Sequence, residues 1–258
     1  MYTLTSNEKL TYLRGRLQSA ARRFNTELPK AMTDEIAKLE SATLKMPAPK
    51  AEVLEAVANN ALAGRDPFAG KDGELHKTTL LLHLSQSYLY DHLDKVKGER
   101  IRAVVFEHVP AILKAWAPKV AEAGQTLKRS AKALPGVDFN NRQTATIGMT
   151  PNKLIPWAEA VEAMDDLQEV VNAWQALGQV TGRPNPQVLA LAPLTLEQRE
   201  SLPRAPMPWR VALLEGVTLD LATSLDEYDR RAATIATAEA AARAEREKAE
   251  ADAVGFGL

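Results

Sequence analysis

The most apolar stretch of the chain, residues 75–96, has hydrophobic side chains on two sides of the helix that its spacing predicts. One stripe contains Leu75, Leu82, Leu89, Leu93 and Val96, and the other contains Leu80, Leu81, Leu84 and Tyr88. A surface helix of a globular protein needs only one apolar face. We therefore expect other helices to pack on both sides of this segment, as they do around the central helix of a bundle.

A heptad pattern marks the first helix, which we expect to begin near Ser6 or Asn7. Its apolar seam consists of Leu10, Leu13, Leu17, Ala20 and Phe24. A cation stands immediately before every seventh position, at Lys9, Arg16, Arg23 and Lys30. This arrangement predicts a helix that packs through one apolar seam and has one basic edge.

A second heptad pattern predicts a final helix that begins near Trp209. Its seam residues are Leu214, Leu221, Tyr228 and Ile235, and the flanking positions that correspond to the basic edge hold Asp220 and Glu227. Opposite charges would meet if the first and final helices packed antiparallel, within one chain or between two chains. We expect leucine and phenylalanine burial to supply most of the affinity of this pairing.

Helical spacing also predicts helices over residues 51–63, 99–134 and 156–177. Gly98 should break or bend the chain, so that the apolar stretch and the next helix form a hairpin. Residues 135–152 form an irregular arm, in which VDF and TATIGM are the only candidates for a β-hairpin. Residues 178–208 contain six prolines and should be extended. The predicted fold is an all-α helical bundle with long heptad-patterned helices, an irregular arm and a projecting C-terminal helix.

Charge divides the chain into two halves. Residues 1–134 carry 21 Lys and Arg against 15 Asp and Glu, whereas residues 135–258 carry 11 against 18. The halves therefore have net charges of opposite sign, although the whole chain is close to neutral. We predict a basic helical domain over 1–134, a linker or small β arm over 135–154, and an acidic helical region over 155–258 that includes the proline-rich loop and a coiled-coil-like tail.

The composition excludes several kinds of chemistry. The chain has no cysteine, so it has no disulfide, thiolate nucleophile or cysteine-ligated metal. Its first residues lack the pattern of a signal peptide, and no segment has eighteen uninterrupted apolar residues. We expect a cytoplasmic protein, or a virion protein if the chain comes from a phage, and we expect no membrane partner.

The histidines are the first candidates for a catalytic or metal site. His76, His83, Ser87 and Asp94 share a polar stripe of the apolar segment. However, His76 and His83 lie two turns apart with no carboxylate between them, whereas metal ligands on one helix need a spacing of three or four residues. No phosphate-binding loop and no serine, histidine and aspartate arrangement is found in the sequence. We therefore interpret the chain as a protein without an enzymatic role, a cofactor or a bound metal.

Three hypotheses for function remain. In general character the chain resembles structural or scaffolding components of large assemblies, including phage particles, which would make it a homo-oligomer or part of a larger protein complex. The second hypothesis is a nucleic-acid-associated protein that uses the basic first helix, although a sequence pI of about 6.5 is low for that role. The third is an all-α enzyme with a site in the bundle core, at the stripe of His76, His83 and Asp94.

Overall fold

The computed structural model describes residues 6–43, 51–68, 70, 72–84, 86–140, 146–183, 188–203 and 207–255. This part of the chain forms nine α-helices and no strand, which confirms the predicted all-α fold. In chain order the helices are α1 Ser6–Arg23, α2 Lys30–Ser41, α3 Ala51–Leu62, α4 Gly73–Leu84, α5 Gln86–Ala133, α6 Pro151–Thr181, α7 Leu196–Ser201, α8 Arg210–Leu213 and α9 Leu225–Gly255.

Local sequence explains where α6 begins and ends. Thr150 has extended backbone angles, and Pro151 follows it in the first turn, where a missing N–H has no cost. At the other end Gly182 adopts φ 71°, and its N–H donates to the carbonyl of Gly178. Glycine takes this left-handed conformation without a steric penalty, so it ends the helix. The helix is longer at both ends than the predicted 156–177.

Two compact units make up the chain. The first contains Met1–Thr33 and Val105–Leu258, and the second contains Asp34–Val104. These units are defined by contacts, whereas the regions 1–134, 135–154 and 155–258 were defined by charge and composition. That division by charge stays a prediction about which pieces fold independently.

The core of the first unit lies where α1 packs along α6. The predicted seam of α1 is buried at Leu10, Leu13, Leu17, Ala20 and Phe24. The Phe24 ring lies 6.0 Å from the ring of Trp116 on α5, and the indole N–H of Trp116 donates to the Thr26 hydroxyl at 3.2 Å. On the other side of the core the rings of Trp174 and Tyr228 are 5.5 Å apart. Burial of large aromatic side chains is a main source of stability in such a core.

The prediction of a central helix over residues 75–96 is wrong. Two helices, α4 and α5, cover this stretch, and Leu75 and Tyr88 are 66% and 74% exposed. The spacing correctly predicted helical apolar faces. It could not show whether another part of the chain covers them. In the described residues Leu75, Leu81, Leu82 and Tyr88 are exposed, and the other described members of the two stripes are only half-buried.

The predicted break at Gly98 and the hairpin that follows are also wrong. Helix α5 runs without interruption through Gly98 and includes Pro110 and Pro118. A single glycine lowers helix stability by only about 1 kcal/mol relative to alanine, and the many other residues of α5 offset this cost.

Much of the proline-rich segment packs into the core of the first unit, and only part of it is extended. Helix α6 continues to Thr181, and the residues that follow it place Val188, Ala190, Leu191, Ala192, Leu194 and Leu202 in the core. The amides of Asp220 and Ala222 donate to the carbonyls of Leu191 and Ala190, each at 2.8 Å. A turn at residues 188–191 therefore pairs with the irregular segment 220–222 inside the first unit.

The final helix begins later than predicted. Helix α8 ends at Leu213, residues 214–224 are not helical, and α9 begins at Leu225. Leu214 and Leu221 therefore do not belong to a helical seam with Tyr228. The predicted β-hairpin is likewise wrong for the described residues 137–140 and 146–149, which form turns and irregular structure. Residues 141–145, which include the first two residues of the TATIGM segment, lie outside the described part.

Candidate functional site

The second unit carries exposed apolar side chains on three helices. Leu54 and Leu62 lie on α3, and Leu75, Leu81 and Leu82 lie on α4. Tyr88 and Tyr90 follow in the first turns of α5. The exposed fractions reach 86% at Leu62 and 57% at Leu81. We call these seven residues the apolar surface.

So many exposed leucines and tyrosines in one short stretch are unusual for a folded domain. Large apolar side chains are normally scattered singly over a surface, and larger exposed groups of them mark sites of interaction. In the described residues, seven of the thirteen exposed large apolar side chains lie between residues 54 and 90. The other six are distributed over the much longer first unit, which buries the leucines of α1 and most of those of α6. The apolar surface is therefore the candidate functional site.

The first part of α5, which belongs to the second unit, continues the apolar pattern. Leu89, Leu93 and Val96 are half-buried and are spaced by four and three residues, which places them on one stripe of the helix. Further along, Ile101 and Val104 are buried. The exposure of the apolar side chains thus decreases from Tyr88 towards Val104.

The polar clusters of the first unit connect its elements. Arg23 at the end of α1 forms an ion pair with Asp166 of α6 and also donates to the carbonyl of Glu162. One turn earlier, the Ser19 hydroxyl donates to Glu169 at 2.9 Å. Burial raises the pKa of Asp166 in spite of the bond from Arg23, whereas the same bond raises the pKa of Arg23. These contacts fix α1 on α6.

A groove of about 460 Å³ lies beside this ion pair, but its cations are engaged. Arg23 bonds Asp166, Lys119 lies 3.4 Å from the carboxylate of Glu122, and Arg129 donates to the hydroxyl of Thr126 at 3.1 Å. All three cations that line the groove thus have partners within the chain. The groove gives no reason to expect an anionic ligand.

A buried arginine joins α9 to the turn at residues 188–191 and to the segment that contains Asp220. The Arg231 guanidinium donates to the backbone carbonyls of Leu189 and Asp220 and forms ion pairs with the carboxylates of Asp220 and Glu227. Arginine suits this position because its planar group presents several donors at once. Nothing in the sequence pattern indicated this role, since Arg231 was not on a predicted seam or edge.

The predicted interaction residues fall into three groups in the structure. Leu10, Leu17, Phe24, Leu221 and Tyr228 are buried in the first unit, Leu214, Glu227, Lys9 and Arg16 are half-buried, and Arg23, Lys30 and Asp220 are exposed. The two charged flanks do not meet, because Arg23 pairs with Asp166 while Asp220 and Glu227 pair with Arg231. The pairing also required a helix through Leu214 and Leu221, so it is wrong. Whether any of these residues contacts another protein stays a prediction.

The histidine stripe is divided between two helices in the described structure. His76 lies on α4 and Asp94 lies on α5, while the side chains of His83 and Ser87 fall outside the described residues. Across the described part of the chain, no group of three histidine or carboxylate side chains is arranged to hold a metal ion. Within the same residues no helix is long and apolar enough to cross a membrane.

Comparison with known proteins gives no further guide. Neither protein-family models nor curated proteins nor solved structures show a match to this chain.

Proposed function

We propose that this chain is a non-enzymatic helical structural protein that self-assembles through the apolar surface of its second unit. The observation that carries the proposal is the exposure of seven large leucine and tyrosine side chains between residues 54 and 90. Covering apolar surface contributes about 25 cal/mol per Å² removed from water, so these side chains favour association with another apolar surface.

The division of the chain into two units supports this proposal. The first unit has a core of its own, which contains Trp116, Trp174 and the buried seam of α1. The second unit leaves Leu54 and Leu62 of α3 and Leu75, Leu81 and Leu82 of α4 exposed. We propose that the first unit provides a stable body and that the second provides the contact surface. Such a chain would serve as a component or scaffold of a larger complex, for example in a phage particle or in the cytoplasm.

The structure favours assembly over nucleic-acid binding. A reader of nucleic acid needs cations that are available to phosphates. On the basic edge of α1, Arg23 bonds Asp166, and the guanidinium of Arg16 lies 5.0 Å from the centre of the Tyr12 ring. Two of the four cations of that edge are therefore engaged within the chain.

The absolute mass of the full chain in solution, measured by light scattering over a range of concentrations, tests the proposal. We expect a discrete oligomer of the 28.2 kDa chain. A Leu75→Lys, Leu81→Lys double variant should shift the mass towards the monomer, because two ammonium groups would have to be desolvated in the contact.

A matched control is Ile155→Lys on α6. Ile155 is 63% exposed, similar to Leu75, but it lies outside the second unit. This variant should keep the wild-type mass. A wild-type monomer at every concentration, or an oligomer that the double leucine variant leaves unchanged, would overturn the proposal.

A further inference from the structure

Helices α3 and α4 bury none of their described side chains. Each helix has twelve residues. Every described side chain at positions 54–62 and 74–82 is exposed or half-buried. Helix α2 also has twelve residues, but it buries Met32 and Ile36, which are 2% and 4% exposed. Helices α3 and α4 therefore lack the packed face that a helix of the same length has elsewhere in this chain.

A short helix needs such a face to remain folded. Forming the first turn is unfavourable, so an isolated helix of fewer than about 12–15 residues is only marginally stable in water. The composition does not fully compensate for this cost. Helix α4 contains one glycine, two threonines and two histidines, and α3 contains two asparagines, all of which are weaker helix formers than alanine. Local sequence therefore gives α3 and α4 little stability of their own.

The sides of α4 differ in burial. At 3.6 residues per turn, Leu75, Thr78 and Leu82 lie on one side, and all three are exposed. The half-buried residues, which lie on a different side, are His76, Thr79 and Leu80. The hydroxyl of Thr78 donates to the carbonyl of Glu74 at 2.8 Å, so this polar group is already bonded within the helix. No charged residue lies between the three exposed residues on their side of α4.

Helix α3 has the same arrangement. Leu54, Ala58 and Ala61 lie on one side of the helix and are exposed. The half-buried residues, which again lie on a different side, are Ala56, Val57 and Asn60. Both helices thus have one half-buried side and a second, uncharged side that the described part of the chain leaves exposed.

We infer that α3 and α4 become helical only when a second copy of this chain covers their exposed sides, so that folding of these two helices and assembly are a single coupled step. This inference rests on the proposed function. A second copy suits these sides because it brings the same uncharged residues, so the contact opposes no like charges along them. A two-fold contact also covers both copies at once. Because association must then order two helices, the affinity depends on how stable those helices are.

Changes in helix propensity test this coupling. Lys77 of α4 and Asn59 of α3 are exposed and lie on neither of the two sides of their helices. Lys77→Gly should weaken association about threefold per chain, and about tenfold for a contact between two chains, because glycine is the poorer helix former. Asn59→Ala should strengthen association by a similar factor, because alanine is the better one. Sedimentation velocity over a range of concentrations measures each dissociation constant.

The matched control is Lys114→Gly on α5. Lys114 is exposed, but its neighbours Leu113 and Trp116 are each 1% exposed, so this part of α5 is packed in the free chain. The change should lower stability against denaturant and leave the dissociation constant unchanged. A dissociation constant of Lys77→Gly equal to that of wild type would mean that α4 is helical before assembly. That result, or an equal weakening of association by Lys114→Gly, would overturn the inference.

Amide hydrogen exchange observes the free form directly. We expect the Leu75→Lys, Leu81→Lys variant to be monomeric, and lysine has nearly the helix propensity of leucine, so the substitutions themselves do not unfold α4. In this monomer, peptides from α3 and α4 should exchange within about tenfold of the rate of an unstructured peptide, while peptides from α6 stay protected. Exchange from α3 and α4 as slow as that from α6 would contradict the coupling.

The two proposals fail in different ways. If the double leucine variant dissociates the oligomer but keeps α3 and α4 protected, the apolar surface mediates assembly and only the coupled folding is wrong. If the leucine variant leaves the oligomer intact, the proposed function is wrong, and the inference falls with it.

Discussion

Gly124 allows an extended segment of the chain to lie directly against α5. A methyl group added at this position would lie 2.8 Å from Cγ and 2.9 Å from Cδ1 of Leu219, which is itself buried. One turn further along α5, the ammonium group of Lys128 donates to the carbonyl of Val217. Because Gly124 has no side chain, residues 217–219 can lie directly against the helix. The sequence alone could not reveal this, because it shows only a glycine inside a helical pattern.

We predict opposite effects for two glycine to alanine changes. Gly124→Ala should lower the free energy of unfolding by about 1–3 kcal/mol, because the new methyl group overpacks a buried contact with Leu219. Gly15→Ala should raise it by about 0.5–1 kcal/mol, because nothing lies within 4 Å of the added group in α1 and alanine is the better helix former. Chemical denaturation measures both values. A Gly124→Ala variant as stable as Gly15→Ala would contradict the packing described for Leu219.

The periodicity of apolar residues predicted where helices form far better than it predicted which elements pack against them. The seam of α1 has a heptad spacing and is buried, whereas the equally regular apolar stripes of residues 75–96 include side chains that are more than half exposed. Spacing shows which side chains share a face, but only the fold decides what covers that face. The predicted helix through Leu214 and Leu221 shows a different error. Val217, Leu219 and Leu221 are buried and alternate with exposed Thr218 and Asp220, a period of two that indicates an extended segment.

The first turn of α9 is held by a reciprocal cap. The Ser224 hydroxyl accepts the N–H of Glu227 at 3.1 Å, and the Glu227 carboxylate accepts the N–H and hydroxyl of Thr223 at 2.8 and 3.1 Å. Burial alone would raise the pKa of Glu227, but the bonds from Thr223 and the charge of Arg231 outweigh it and lower the pKa. The ionised carboxylate is thus the form that stabilises this end of the helix.

We predict that Glu227 contributes to acid sensitivity. A carboxyl group whose pKa is lower in the folded chain stabilises the fold above its unfolded pKa of about 4.3 and loses this effect as the pH falls through the folded value. Glu227→Gln should therefore lower the free energy of unfolding by about 0.5–1.5 kcal/mol at pH 7 and by less at pH 3. The comparison is made by denaturation at both pH values, with Glu239→Gln on the exposed part of α9 as the control. An equal effect of Glu227→Gln at both pH values would show that ionisation of Glu227 does not contribute to the free energy of unfolding.

At the scale of the whole molecule, we propose that stability and assembly belong to different units. The first unit buries most of its leucines together with Trp116 and Trp174, and it fixes its elements through Arg23 and Arg231. The second unit presents leucines and tyrosines at its surface. The sequence predicted the all-α fold, but it placed the expected contact on the heptads of the first and final helices. Burial by a distant part of the same chain and burial by a partner produce the same sequence pattern, so the sequence could not distinguish the two.

Amide hydrogen exchange at two protein concentrations tests the central claim most directly, because it locates the surface that association covers. If copies meet through the second unit, peptides from α4 and from residues 86–104 should exchange more slowly at a concentration that favours the oligomer than at one that favours the monomer. Peptides from α6 should exchange equally at both concentrations. Equal exchange throughout α4 and residues 86–104, or protection that appears only in the first unit, would contradict the account.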